Sequence, residues 1–276
     1  MYLGIDLGGT NIRVASVQDG VLLRLLTEPT LSGGSEGEVL DQICRLIEPL
    51  MSPEVEGIGI GVPSVVDREK GIVYNVVGIP SWKEVHLCDV LKKRFNVPVA
   101  INNDCNCFAL GVAHYGSLRG SKEMVCVTLG TGVGSSLLIN GKLFNGHNTG
   151  AGEIGSIPYL DKDYEYYCSS RFFVGKSTSG KDAAIAAKAG DAAALAIWEE
   201  FGTHLGKLVQ MIMFAFDPEA IIFGGSIANA FPLYKEAMWK QVREFPYPAS
   251  VQNLKIETAD VDNAGILGAA LLCMQD

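Results

Sequence analysis

Two short segments of this sequence combine glycine with threonine in a way that could hold a phosphate group. Residues 8–11 are Gly-Gly-Thr-Asn and residues 130–134 are Gly-Thr-Gly-Val-Gly. Each segment lies between two apolar runs, which predicts a tight turn joining two strands. The exposed backbone N–H groups of such a turn, together with the threonine hydroxyl, can hold phosphate oxygens. An ordinary hairpin turn, which also favours glycine, is the alternative interpretation at both places.

Two aspartates lie at predicted strand ends and could take part in phosphate chemistry. Asp6 ends the strand before the first glycine turn, where a carboxylate can hold hydrated Mg²⁺ beside phosphates. Asp104 follows a strand predicted over 97–102, at the carboxyl end where α/β sheets bind ligands. It also precedes a helix predicted over 105–115, so a helix N-cap is the competing interpretation. The residues alone leave the roles of general base and N-cap open.

The composition argues against several classes of protein. The 276 residues carry a net charge of −9, and the basic residues are scattered rather than gathered on one face, which argues against nucleic-acid binding. No run approaches the roughly eighteen apolar residues of a membrane span, and no leader pattern precedes the first strand. The seven cysteines, the pair Cys105 and Cys107 included, predict reduced packing residues. We therefore expect a cytoplasmic protein.

The periodicity predicts an α/β chain in two parts. Strands are expected over 2–8, 11–18, 21–27, 55–62, 97–102, 124–130, 133–139 and 220–223. Helices are expected over 36–51, 87–95, 105–115, 182–189, 192–214 and 265–274. Glycines cluster near 111–121, which indicates a soft boundary. We assign 1–112 to an N-terminal domain and 113–276 to a C-terminal domain, with the terminal helix 263–276 able to pack back on the first domain.

Seven motifs together resemble the ROK family (repressors, open reading frames and kinases). In chain order they are IDLGGTNIR, GIGIGVPSVVD, VPVAINNDCNCFALG, TLGTGVGSSLLINGKL, GHNTGAGEIG, IIFGGSI and GILGAALL. Each motif alone is weak, but their order and spacing match the family over nearly the whole chain. The resemblance implies two actin-like (ribonuclease H-like) α/β domains, with a cleft for nucleotide and sugar between them.

The resemblance also implies an ATP-dependent, glucokinase-like sugar kinase that uses Mg²⁺. Asp104 corresponds to the base that accepts a proton from the sugar hydroxyl, which we expect to be the terminal one. Asp6 corresponds to a residue that holds Mg²⁺ through water, and Gly224 and Gly225 to the adenosine-side turn. The predicted ATP-binding residues are Asp6, Gly8, Gly9, Thr10, Asn11, Gly130, Thr131, Gly132, Gly134, Gly224 and Gly225.

The predicted sugar-binding residues come from three of the motifs and from the residue that follows the third of these. They are Ser64, Asn103, Asp104, Glu153 and Ser156. Ser64 stands where many members of the family carry glycine. Glu153 lies in an apolar, glycine-flanked context, where a lone carboxylate would be costly unless a ligand or partner satisfied it. A buried structural hydrogen bond is the alternative for Glu153, and an ordinary strand-to-helix turn is the alternative for Gly224 and Gly225.

The segment after Glu153 departs from the family pattern. Most members have a histidine at position 156, which contacts the sugar and helps three cysteines to bind zinc, whereas this chain has Ser156. Cys168 is the one cysteine left of that set, and a structural zinc needs four ligands, so we predict no zinc site. The family's sugar-contacting glutamate aligns with Ser170. We expect Tyr164, Tyr166 and Tyr167 to fill the volume by packing, and a preference for glucose does not carry over.

Two further classes of function compete with the kinase. The first is a non-catalytic sugar sensor or regulator of the same family without a DNA-binding domain, since the first phosphate turn follows a strand that starts at residue 2. The second is an ATPase that activates another enzyme. This chain lacks the cysteine pair that such an activator would need to hold a bridging iron–sulfur cluster. Retention of Asp6, both glycine turns and Asp104 favours catalysis. The expected ligands are ATP, Mg²⁺ and a small-molecule sugar. Whether the chain forms a homodimer is left open.

Overall fold

The computed structural model describes residues 1–76 and 78–274. They form two compact units. The first unit contains Met1–Gly120, Leu143–Ala151 and the described residues from Asp260 onward; the second contains Ser121–Lys142 and Gly152–Ala259. The chain thus passes between the units four times, whereas the sequence analysis placed a single boundary after residue 112. The reason is that a short loop and the terminal helix pack in the first unit.

The elements follow one another in an α/β order. In the described part of the chain the strands are β1 (Tyr2–Leu7), β2 (Asn11–Gln18), β3 (Val21–Pro29), β4 (Gly57–Val62), β5 (Val66–Asp67), β6 (Ile72–Tyr74), β7 (Glu84–Val85), β8 (Val99–Asn103), β9 (Met124–Leu129), β10 (Val133–Ile139), β11 (Lys142–Phe144), β12 (Pro158–Tyr159), β13 (Lys162–Asp163), β14 (Ala220–Gly224) and β15 (Lys255–Thr258). The α-helices are α1 (Glu36–Ile47), α2 (Leu87–Phe95), α3 (Asp104–Tyr115), α4 (Tyr164–Cys168), α5 (Ser170–Gly175), α6 (Gly180–Lys188), α7 (Ala192–Phe216), α8 (Phe231–Val242), α9 (Pro248–Asn253) and α10 (Ala264–Leu271).

Two five-stranded sheets repeat the same topology. The first has the order β3-β2-β1-β4-β8, and the second has the order β11-β10-β9-β14-β15. In each sheet the chain makes an antiparallel hairpin, β1 with β2 and β9 with β10, and later strands join in parallel on the other side. The glycine turns of the sequence analysis are the turns of these two hairpins. The repeated α/β sheet confirms the predicted fold class.

The elements that the sequence predicted differ from the observed ones mainly at their ends. The elements that it did not predict are β5–β7, β11–β13, β15, α4, α5, α8 and α9. The helix predicted over 36–51 ends at Ile47 and is followed by a 3₁₀ turn over Glu48–Leu50. Pro49 has no N–H group to continue the α-helical ladder, which explains this change. The same helix begins at a capping box, in which Ser35 and Glu38 each bond the other's backbone N–H group.

The terminal helix α10 packs very closely on α3 and on strands β1 and β4 of the first unit. A Cβ atom on Gly268 would lie 1.7 Å from the Cys107 carbonyl oxygen, and one on Gly59 would lie 1.8 Å from that of Ala269. These distances leave no room for a side chain, so Gly59 of β4 and Gly268 of α10 permit the close backbone approach. Because α3 begins at Asp104, this packing also fixes the position of that carboxylate.

The cores of the two units differ in composition. The core of the first unit is mainly aliphatic, with Leu3, Ile5, Ile58 and Ile60 fully buried in neighbouring strands. The core of the second unit surrounds α7 and is rich in aromatic side chains, among them Phe172, Phe173, Trp198, Phe201 and Tyr234. All seven cysteines are free thiols, and five of them are buried. Within residues 1–76 and 78–274, no helix is long and apolar enough to cross a membrane.

Candidate active site

Asp104 lies at the junction of β8 and α3, and the neighbouring residue caps the helix. The side chain of Asn103 accepts a hydrogen bond from the Cys105 N–H group at 2.9 Å and is the N-cap of α3. Asp104 is the first helical residue, and its Oδ1 accepts from the same N–H group at 2.8 Å. The structure therefore gives the N-cap role, which competed with catalysis in the sequence analysis, to Asn103.

The carboxyl group of Asp104 is held in a partly buried, negatively charged setting. Burial is the main cause that raises the pKa of Asp104 to about 6 from its ordinary value of 3.8, and the negative charge of Asp6 adds to it. The hydrogen bond from the Cys105 N–H group opposes this shift. A carboxylate with a pKa near neutrality is a stronger proton acceptor than an ordinary aspartate, which suits a general base.

Asp6 is bound on one side by Arg13, a residue that the sequence analysis missed. The two residues face each other across the β1–β2 hairpin. The Nε and Nη2 atoms of Arg13 both donate to Oδ2 of Asp6, the first at 3.1 Å. The Nη1 atom donates to Asn263 Oδ1 at 3.4 Å. The register of the predicted hairpin, which places Arg13 opposite Asp6, is the signal that could have identified this pair.

The first glycine turn is fixed by hydrogen bonds on one side and exposed on the other. The Gly8 N–H group donates to the Asn11 carbonyl at 2.9 Å, and the Thr30 hydroxyl donates to the Gly8 carbonyl at 2.6 Å. Gly9, Thr10 and Asn11 are exposed. The carbonyl groups of Gly8 and Asn11 are thus used internally, while Gly9 and Thr10 remain accessible to an anion.

The second glycine turn is supported by residues of the segment 165–171. The Ser170 N–H group donates to the Gly130 carbonyl at 2.8 Å. The carboxylate of Glu165 accepts from the Val133 N–H group at 3.2 Å and is paired with Arg171 at 2.9 Å. Ser170 therefore contacts the turn through its backbone, and Glu165 is a neighbour of the turn that the sequence analysis did not single out.

The predicted adenosine-side turn lies beside the second glycine turn. Gly224 pairs with Thr128 in the parallel register of β14 and β9. Gly225 has a φ of +82°, and a Cβ atom there would lie 2.4 Å from the Leu129 carbonyl oxygen. Both the backbone conformation and the close approach require glycine at this position. The structure thus brings Gly224 and Gly225 next to Gly130, at the carboxyl ends of adjacent parallel strands.

The predicted sugar-binding residues fall into two groups. Ser64 and Asn103 lie together beside Asp104, because the Asn103 Nδ2 donates to the Ser64 carbonyl at 3.3 Å. The hydroxyl of Ser64 donates to the Tyr74 carbonyl. Glu153 and Ser156 belong to the second unit and flank a short 3₁₀ turn over Ile154–Ser156. Both are exposed, so the expectation that the Glu153 carboxylate lies in an apolar, buried setting is wrong: its hydrophobic neighbour Ile154 turns inward instead.

Aromatic side chains pack together over residues 159–168, where the sequence analysis predicts no zinc site. The rings of Tyr159 and Tyr164 stack at 4.4 Å, and Tyr167 contacts Tyr159 edge-on. The Tyr159 hydroxyl lies 3.2 Å from Nδ1 of His204, and Cys168 is fully buried. The ring of Tyr166 packs edge-on against Tyr167 at 5.1 Å, so the expectation that tyrosines fill this volume is confirmed for Tyr164, Tyr166 and Tyr167. Among the residues that the structure describes, no group of three or more His, Cys, Asp or Glu side chains could hold a metal ion; the absence of zinc stays a prediction.

Comparisons with known proteins agree on one family. The family model described as the ROK family matches residues 2–276. The chain is 30% identical to a glucokinase of Thermotoga maritima, over 97% of this chain and 95% of that protein. It is 29% identical to an N-acetyl-D-glucosamine kinase of Vibrio cholerae, over 99% of each chain. A solved ROK family glucokinase from Streptomyces griseus, in complex with glucose and AMPPNP, superposes with a TM-score of 0.84 at 26% identity, over 100% of this chain and 99% of that one.

Proposed function

This chain belongs to the ROK family, and from this premise we propose that it is an ATP-dependent sugar kinase in which Asp104 is the general base. The family resemblance found in the motifs is confirmed, and so is the class of enzyme, since full-length relatives are a glucokinase and an N-acetyl-D-glucosamine kinase. The acceptor is a hexose or a hexose derivative. The choice of sugar and of hydroxyl belongs to the proposal.

The observation that carries the proposal is the setting of Asp104. Its carboxylate stands at the end of β8, its structural role as a cap is taken by Asn103, and its pKa is raised to about 6. In the proposed reaction Asp104 accepts the proton of the sugar hydroxyl as that oxygen attacks the γ-phosphorus of ATP and the bond to the β-phosphate oxygen breaks. General-base assistance of this kind is worth about 10² to 10⁴ in rate.

The two glycine turns supply the proposed phosphate contacts. The first, over residues 8–11, presents exposed backbone beside Asp6. The second, over residues 130–134, lies next to Gly224 and Gly225 in the sheet of the second unit, which supports an adenosine site close to a phosphate site. Backbone N–H groups that are already oriented need no rearrangement to stabilise charge on the transferring phosphoryl group.

The geometry of Asp6 is compatible with hydrated Mg²⁺. Of the two Asp6 carboxylate oxygens, Arg13 donates to Oδ2 alone. Within the described part of the chain, Asp6 Oδ1 accepts no hydrogen bond. One carboxylate oxygen can therefore reach water molecules of a magnesium ion, which usually keeps several of them. When bound, Mg²⁺ would neutralise charge on the β- and γ-phosphates. Arg13 would keep the Asp6 carboxylate oriented toward that position.

Steady-state kinetics would test the proposal directly. ADP formation with Mg-ATP would be measured across hexoses, pentoses and N-acetylhexosamines, with the wild-type chain and Asp104→Asn side by side. Sugar-dependent turnover that is lost in Asp104→Asn would support the kinase. Binding of sugar or nucleotide without any turnover, seen as a raised melting temperature, would instead favour the non-catalytic sensor.

The pH dependence of kcat/KM is expected to show an acid limb near pH 6. Below this pH the carboxyl group of Asp104 is protonated in the free enzyme and cannot accept the hydroxyl proton. The rate should therefore fall by about tenfold per pH unit, and it should rise to a plateau above about pH 7. A pH series in constant ionic strength measures this limb. An acid limb near pH 4 would show that Asp104 titrates as an ordinary aspartate in the free enzyme.

The turn at Gly225 is expected to tolerate no side chain. Gly225→Ala should raise KM for ATP by about tenfold or more and destabilise the fold by about 2 to 4 kcal/mol, because positive φ and a clash with Leu129 act together. Gly190→Ala is the matched control, since Gly190 has a φ of +87° with no atom within 4 Å of an added Cβ. That control should lose about 1 kcal/mol and keep its KM. Equal effects of the two variants would contradict the steric argument.

A further inference from the structure

A cavity that none of the predicted site residues lines lies within the first unit. It has a volume of about 450 Å³ and lies between the turn Val65–Glu69 with Tyr74 on one side and the loop Asn145–Thr149 on the other. Cavities of this size are typical of binding sites for ligands of several hundred daltons. The cavity is therefore large enough to matter for substrate choice, provided that it is connected to the site around Asp104.

One wall of the cavity is bonded to the predicted sugar-binding residues. Ser64 directly precedes this wall, and its hydroxyl donates to the carbonyl of Tyr74. The Tyr74 N–H group donates to the Val65 carbonyl at 3.2 Å, which joins β6 to the turn. Asn103, next to Asp104, donates to the Ser64 carbonyl. The turn thus continues from the candidate sugar site without a break.

The other wall is fixed to the residues on both sides of Asp104. The Oδ1 atom of Asn145 accepts hydrogen bonds from Asn102 Nδ2 and Asn106 Nδ2, both at 3.2 Å. Asn102 and Asn106 are 0% and 2% exposed, and they bond to each other at 2.9 Å. Buried amides of this kind are costly to leave unpaired. Asn145 therefore holds the loop in a defined position beside the base.

The charged side chains that line this space, Asp67, Arg68 and Glu69, are of both signs, which suits a polar, uncharged ligand. The guanidinium of Arg68 is exposed and makes no hydrogen bond or ion pair with residues 1–76 or 78–274. The carboxylate of Asp67 is already bound to Lys70, at 3.1 Å, so its charge is compensated. His147 and Asn148 add exposed side chains that both donate and accept. Hydroxyl groups of a sugar match this mixture, and the planar fork of Arg68 can bond two adjacent ones.

We propose that the cavity is a subsite for a second sugar ring, so that the preferred substrate is a disaccharide whose first ring is phosphorylated beside Asp104. This inference rests on the proposed kinase function. A free hexose held by Asn103 and Asp104 leaves the cavity to water. A second ring would displace that water and engage Arg68 and the loop fixed by Asn145, which adds binding energy away from the reacting hydroxyl.

The test compares free hexoses, N-acetylhexosamines and disaccharides in the same coupled assay of ADP formation. We expect kcat/KM for at least one disaccharide to exceed that of its free hexose by about tenfold or more. Arg68→Ala should lower kcat/KM for the disaccharide by about tenfold and change the value for the free hexose less than about twofold. His147→Ala is a second variant of the lining, and Arg119→Ala is the control, an exposed arginine outside the cavity.

The outcomes separate this inference from the proposed function. Turnover of free hexoses or N-acetylhexosamines that equals or exceeds turnover of every disaccharide would overturn the subsite and leave the kinase intact. A preferred disaccharide whose kinetics are unchanged in both Arg68→Ala and His147→Ala would also overturn it, because the second ring would then bind elsewhere. Absence of turnover with all sugars would remove the kinase function and the subsite together.

Discussion

Asp104→Asn is expected to lower kcat by about 10² to 10⁴ while the protein remains folded. The amide of asparagine has nearly the shape of the carboxylate and can still accept the Cys105 N–H bond at this position. It cannot accept the proton of a sugar hydroxyl. KM for ATP should change little, because the predicted ATP contacts involve other residues. The measurement is sugar-dependent ADP formation under saturating Mg-ATP.

Asp89→Asn is the matched control for this variant. Asp89 also lies in the first turn of a helix, α2, but its side chain is 69% exposed. It should retain the wild-type kcat. A rate within about threefold of wild type in Asp104→Asn would mean that the sugar hydroxyl loses its proton without this carboxylate, since a general base contributes at least about a hundredfold.

The same substitution should stabilise the protein at high pH. Because the folded-state pKa of Asp104 is about 6, above its ordinary value of 3.8, the folded state holds the proton more tightly than the unfolded state. Stability is therefore lost as pH rises from about 4 to about 6, by about 2 to 3 kcal/mol. The neutral asparagine does not suffer this loss. Denaturant unfolding at pH 8 should show Asp104→Asn to be the more stable protein, and at pH 4 the difference should vanish.

Gly268→Ala is expected to destabilise the first unit by about 3 kcal/mol or more. An added Cβ would lie 1.7 Å from the Cys107 carbonyl oxygen, and the helices α3 and α10 would have to move apart. Overpacking usually costs about 1 to 3 kcal/mol, and here the obstructing atom belongs to the backbone and cannot rotate away. The measurement is urea unfolding. A loss of kcat should accompany the loss of stability, because α3 carries Asp104 at its start.

Gly265→Ala provides the control on the same helix. No atom lies within 4 Å of a Cβ added at Gly265. Alanine is a better helix former than glycine by up to about 1 kcal/mol, so this variant should be unchanged or slightly more stable. If both substitutions produced the same change in unfolding free energy, the close contact between α3 and α10 would not be the source of the effect.

Several features of the fold could be predicted because they depend on local pattern. The two glycine segments predict two hairpins, since glycine flanked by apolar runs is typical of tight turns. The order of the seven motifs identified the family, and the repeated sheet topology agrees with it. The helix at Asp104 was placed within one residue of its start at that position.

Other features could not be predicted because they depend on residues far apart in the chain. Asp104 was open between the roles of general base and N-cap, and only the backbone conformation and the hydrogen bond from Cys105 assign the cap to Asn103. The exposure of Glu153 contradicts the apolar character of its neighbours, because a short 3₁₀ turn directs Ile154 inward and Glu153 outward. The bond between Asn145 and the two asparagines beside Asp104 spans about forty residues and has no periodic signal.

The sequence by itself determined the family, the α/β class and the chemical types available at the site: two glycine turns, Asp6 and Asp104. Residue type and short spacing are enough for these, because turns, strands and hydrogen-bonding groups are local properties. The tertiary structure alone decided the raised pKa of Asp104, the bond from Arg13 to Asn263 and the cavity beside Ser64. Each of these arises where segments far apart in the chain exclude water or bring polar groups together. Burial and electrostatic interaction depend on distances between such segments, which no local sequence pattern contains.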